Sequence, residues 1–151
     1  MNRVNKIIAP TDLSKLSLAA LRRALEMAIE QGGTVIVYHV VGADGDWLSN
    51  DEELNPASVL VPQQRERLHE FMKENCADFI GKVRIVEVVE AGVPYNKIVK
   101  KAEEEKADLI VMSTHGRAGI EQIMLGSVTA KVVARANCPV LSLRPEKSTL
   151  Q

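Results

Sequence analysis

Two rhythms of apolar positions alternate along the chain. Runs of aliphatic and β-branched residues are separated by segments whose apolar residues return every three to four positions, the repeat of one helix face. Asn5 to Ala9 (NKIIA), closed by Pro10, is the first run. Thr11, Asp12 and Ser14 follow as turn and cap residues, and Leu18, Leu21, Leu25 and Ala28 predict a helix that stops at Gly32 and Gly33. Thr34 to Val41 (TVIVYHVV) has almost no polar interruption, which predicts a strand covered on both faces, as in a parallel sheet. From Pro62 the helical spacing returns, with Leu68, Phe71, Met72, Cys76, Phe79 and Ile80 on one side and Gly81 as the stop. Val83 to Val89 is interrupted by Arg84 and Glu87, the pattern of an edge strand with one wetter side.

Gly92 and Pro94 open a third helix, with Ile98, Val99 and Ala102 inward and KKAEEEKAD as a solvated face. Leu109 to Met112 is a fourth strand. Ser127 to about Ala136 is a fourth helix that turns Val132, Val133 and Ala136 to the sheet, and Val140 to Leu143 is a fifth strand. This alternation predicts an α/β fold: a single doubly wound, Rossmann-like five-stranded parallel sheet with helices on both faces. The domain is expected over residues 1–145, with a polar tail over 146–151.

Two connections are long. Gly42 to Val61 has no sustained period and carries the only tryptophan, Trp47, which reads as an aromatic tacking the loop to the domain or covering a ligand. The other runs from Ser113 to Gly126 and ends where the fourth helix begins. A helix start offers unpaired N–H groups and the positive end of the dipole, and a glycine there lets an anion approach the backbone. Gly126 and Ser127 also suit a plain turn and N-cap. The dozen residues before them favour a binding loop, since a simple connection is shorter.

The spacing within that loop resembles the universal stress protein family. Its nucleotide-binding members carry Gly, two residues, Gly, nine residues, Gly, then Ser or Thr. Here Ser113 stands at the first glycine, followed by Thr114 and His115, Gly116, Arg117 to Leu125, Gly126 and Ser127. Gly116 with Gly119 offers a competing register, but only the first keeps the nine-residue spacing. The resemblance extends from IIAPTD to PVLSLRP and implies strand order 3-2-1-4-5. Strands one and four would then be neighbours, and ligands would bind at their carboxyl ends.

The resemblance implies an adenine-nucleotide site. Pro10, Thr11 and Asp12 would meet the adenosine, although Asp12 also suits an N-cap. Val40 or Val41 would line the adenine pocket; as bare sequence both are core valines. Met112 and Ser113 would flank the ribose, and Gly116, Arg117, Gly126, Ser127, Val128 and Thr129 would hold phosphates. His115 reads equally as a phosphate contact or a structural loop residue, and Arg117 as a phosphate contact or an exposed cation. The ligand implied is ATP, or AMP or cyclic AMP, with Mg²⁺ accompanying ATP. A homodimer pairing through the last strand and an unidentified protein partner are implied as well.

Composition narrows the classes. A formal charge of −1 at pH 7 gives no basic stripe for nucleic acid. No apolar run approaches a membrane span, and MNRVNKIIAPTD is a poor signal peptide, so a cytoplasmic protein is expected. Only 3% of residues are aromatic, which predicts an aliphatic core. Cys76 and Cys138 read as core residues rather than a redox pair, and His39, His69 and His115 lack metal-ligand spacing. No GxSxG elbow or Walker lysine is present, and no catalytic residue is assigned. The leading expectation is therefore a regulatory, nucleotide-dependent binding module and not an enzyme. The alternatives are a dimeric interaction module that binds no nucleotide, and a slow ATP hydrolase.

Overall fold

The aliphatic runs do form strands, and each pairs where its burial demands. A computed structural model describes residues 3–42, 56–114 and 127–144. Its elements are β1 (Lys6–Pro10), α1 (Leu18–Gln31), β2 (Thr34–Val41), α2 (Val61–Asn75), β3 (Arg84–Ala91), α3 (Pro94–Glu105), β4 (Leu109–Ser113), α4 (Ser127–Arg135) and β5 (Val140–Leu143). The sheet has the order β3-β2-β1-β4-β5, and all four pairings are parallel. β1 lies between β2 and β4, with Ile8 opposite both Ile36 and Ile110.

Alternation along each strand sends residues to two cores. Ile7, Ala9, Val35, Val37 and Val111 pack with Leu21, Leu25, Leu68 and Met72 under α1 and α2. Ile8, Ile36, Tyr38, Ile110 and Met112 pack with Ile98, Ala102 and Val132 under α3 and α4. Full burial of such an aliphatic side chain contributes about 1.5–3 kcal/mol. α1 buries Ala20, Leu21, Ala24, Leu25 and Ala28, and ends where Gly32 takes φ 70° and donates its N–H to the Ala28 carbonyl. That left-handed cap is why a glycine stands there.

Four local expectations need correction. The second helix does not run on to Gly81: α2 stops at Asn75, and a separate 3-10 turn covers Ala77–Phe79. The break falls at Cys76, whose φ of −133° is far from helical. Ile80 lies beyond it in extended conformation and is 56% exposed, so it is no part of an inward stripe. In α4, Val132 is fully buried while Val133 is 47% exposed, because adjacent helix positions point about 100° apart and only one can meet the sheet. Within the first long connection, Pro56–Leu60 forms a 3-10 turn ahead of α2. Trp47 lies outside the described residues. Cys76 is buried, Cys138 is half-buried, and both are free thiols.

Candidate functional site

The order of the sheet brings two distant stretches of sequence together. β1 and β4 are hydrogen-bonded neighbours, so the turn after Pro10 and the end of β4 open on the same edge. Pro10 ends β1, and the Thr11 amide donates to the Tyr38 carbonyl at 2.9 Å, extending the pairing with β2. The turn then closes on side chains. The Ser17 hydroxyl donates to the Ser14 carbonyl at 2.7 Å. Its one proton is thereby committed, so the Thr11 hydroxyl donates to Ser17 Oγ at 2.7 Å and accepts the Leu13 amide at 3.0 Å. Asp12 Oδ1 accepts both the amide and the hydroxyl of Ser14. The carboxylate therefore does act as a turn residue, whatever else it binds. Leu13, which packs against the first core, sits at φ 66°. A left-handed leucine costs about 1–2 kcal/mol and must be held by its surroundings.

On the other side of the crevice, Met112 and Ser113 are buried at the end of β4. The Thr114 amide donates to the Leu143 carbonyl at 2.8 Å, which ties this end to β5. α4 begins with Ser127 exposed, Val128 half-buried against the second core and Thr129 buried. The Thr129 hydroxyl donates to the Ser113 carbonyl at 2.7 Å, pinning the start of α4 to the end of β4. Its proton is thus used within the protein, and in the site Thr129 positions the helix. The first turn of α4 carries no acidic residue, so no carboxylate of its own offsets the positive end of the dipole. The side chains separate Val40 from Val41: Val40 packs in the same core as Met112 and Val128, whereas Val41 packs against the opposite one. Of the two, Val40 shares the face of the α4 start. His115, Gly116, Arg117 and Gly126 lie outside the described residues.

Two features were not legible as site neighbours. His39 is buried, with Nδ1 2.9 Å from the Thr11 carbonyl and Nε2 3.1 Å from the Gln64 side chain. Beside Val40, its register partner Glu90 forms a polar cluster under α3. The Tyr38 hydroxyl donates to Glu90 at 2.6 Å and the Lys101 ammonium at 2.8 Å, with Lys97 at 3.7 Å. The expectation that this lysine-rich helix segment is simply solvated is corrected here, since the Lys101 side chain is only 12% exposed. The signal was present as a glutamate near a strand end and lysines four residues apart.

Burial pushes the Glu90 carboxyl up, yet Lys101, the Tyr38 hydroxyl and Lys97 outweigh it and hold the group below the usual glutamate range. Burial pulls Lys101 down, and the Glu90 carboxylate more than restores it. A carboxyl depressed in the folded state stabilises above its unfolded pKa, and the contribution is lost as pH falls through the folded value. A Glu90→Gln variant is therefore expected to melt about 2–4 °C below the parent at neutral pH, a shift of about 1 kcal/mol after solvent screening. Melting curves between neutral and acid pH should show that gap closing; a constant gap would rule out the ionic contribution.

Among the described residues no three His, Cys, Asp or Glu side chains gather as a metal site, and no helix is long and apolar enough to cross a membrane. Grooves of about 350 and 370 Å³ flank β3 and include no residue of the β1–β4 crevice.

Residues 3–144 match the Universal stress protein family. The chain belongs to that family. A universal stress protein of Methanocaldococcus jannaschii is 38% identical, with 97% of this chain and 85% of the relative covered. A universal stress protein of Thermus aquaticus is 51% identical over 83% of this chain and 87% of its own length. Among solved structures, a universal stress protein in complex with cyclic AMP superposes with a TM-score of 0.71 at 24% identity, covering 96% of this chain and all of that one (100%). A family protein of Arabidopsis thaliana with AMP bound gives 0.59 at 18% identity, covering 95% and 94%. At those identities, 24% and 18%, the likeness to these two structures is one of fold.

Proposed function

We propose that this universal stress protein is a regulatory module that binds an adenine nucleotide across the β1–β4 crevice. One observation carries the reading: the β1 turn and the exposed, acid-free start of α4 face one crevice because α4 is pinned to β4 through Thr129 and Ser113. Asp12 and the backbone near Val40 would take the adenosine. The amides at the α4 start and the Ser127 hydroxyl would take the phosphates, as helix N-termini do. Mg²⁺ would arrive with ATP and add charge neutralisation at the phosphates. Support comes from the fold relatives that hold cyclic AMP and AMP. The loop residues Gly116, Arg117 and Gly126, with His115, would complete the site. Binding would change partner affinity through that loop rather than drive turnover, and the protein would work in the cytoplasm as one domain over 1–145.

Calorimetric titration with Mg·ATP, AMP and cyclic AMP tests this. Saturable binding of at least one is expected, with no product after prolonged incubation. Absence of heat from all three, in protein free of co-purified nucleotide, would overturn it. A second reading, an interaction module without nucleotide, is favoured by Ser113 at the position where the family pattern has glycine. In either case the short β5 edge would pair across a two-fold axis in a homodimer. Sedimentation at micromolar concentration showing only monomer would remove that element.

A further inference from the structure

The turn that carries Asp12 contains a strained residue, and something outside the turn must hold it. Leu13 at φ 66° lies between Asp12 and Ser14; hydrogen bonds within the turn join Thr11, Asp12, Leu13, Ser14 and Ser17, and the Thr11 amide reaches the Tyr38 carbonyl of β2. The Thr11 carbonyl is reached from β2 by His39 Nδ1 at 2.9 Å. A carbonyl can only accept, so the ring carries its proton on Nδ1. The other end of the ring, Nε2, lies 3.1 Å from the Gln64 side-chain amide on α2. His39 is 7% exposed, so this bridge is shielded from competing water.

We propose that His39 is a positioning residue: it clamps the β1 turn to β2 and α2 and so presents Asp12 to the crevice in a fixed geometry. The part of this that concerns ligand rests on the nucleotide-binding reading above; the part that concerns the turn does not. The clamp also links the site to α2, since Gln64 lies in the first turns of that helix. A buried histidine serving only as packing would need volume and no donor at Nδ1.

Two variants of the full-length protein separate these roles. His39→Leu keeps much of the volume and removes the donor. His39→Asn places an amide N–H close to the position of Nδ1. Two quantities are measured: the affinity for AMP and Mg·ATP by calorimetry, and hydrogen exchange of the Leu13 and Ser14 amides without ligand. The Leu variant should lose about tenfold in affinity, the equivalent of one buried hydrogen bond. Its two turn amides should exchange about tenfold faster while the β-strand amides keep their protection. The Asn variant should recover most of both. A folded Leu variant with parental affinity and exchange would overturn the clamp, as would an Asn variant no better than Leu. If the parent binds no nucleotide, the proposed function fails, and the exchange comparison still decides whether His39 holds the turn.

Discussion

A Ser127→Asp variant is expected to lose at least about a hundredfold in affinity for adenine nucleotides, some 2.7 kcal/mol, while melting at or slightly above the parent temperature. The two halves of this result have one cause. A carboxylate in the first turn of a helix interacts favourably with the free N–H groups and the dipole, by about 0.3–1 kcal/mol. α4 has no acidic residue in its first turn, and Ser127 is exposed, so the new side chain meets water and the helix start without disturbing the core. The same carboxylate would occupy the position assigned to phosphate. Two like charges about 4 Å apart near a protein surface repel by about 1–4 kcal/mol, depending on how much water intervenes. Titration with Mg·ATP and a melting curve check both halves. Retained affinity would mean that the phosphates do not sit at the start of α4, whatever the protein binds. Lost affinity with a large drop in melting temperature would show only that the variant is damaged.

Ile8→Ala should lower the unfolding free energy by about 3–4 kcal/mol, a large share of the 5–15 kcal/mol typical of a domain. Ile8 is fully buried on the central strand, between Ile36 and Ile110, and the cavity left behind has rigid strands on both sides. Val132→Ala should cost about 2 kcal/mol for the same reason at the base of α4, whose side chain is fully buried. Val133→Ala is the control. Its side chain is 47% exposed and alanine is the better helix former, so the change should stay within about 0.5 kcal/mol of zero. Urea unfolding of the three variants checks the set. Equal losses at Val132 and Val133 would contradict the orientation of α4 and return both to the sheet face.

Much of this architecture was legible because its signals are local. TVIVYHVV can be covered on both faces only inside a parallel sheet, and it forms the eight residues of β2 as expected. Gly32 marks a helix end by backbone conformation alone. Local reading was less successful where two rules competed. Phe79 and Ile80 continue the apolar spacing of α2, yet Cys76 breaks the helix, and Phe79 is buried from a separate 3-10 turn. Lys101 sits in a helical run that looks solvated, because its ion-pair partner, Glu90, belongs to β3.

The candidate site divides along the same line. Sequence alone placed Asp12 after a strand and Ser127 at a helix start, since turns and caps are built from neighbouring residues. It also offered the spacing that marks the family. Periodicity did not supply the adjacency of β1 and β4, because strand order depends on which crossovers pack to which face, and the family resemblance carried that expectation. Only the folded chain distinguished Val40 from Val41, committed the Thr129 proton to the Ser113 carbonyl and set the His39 ring against Thr11. Each of these joins residues between 16 and 28 positions apart or facing different layers. A linear pattern records what a residue is and how it repeats; which backbone carbonyl a buried donor reaches is decided when the layers close.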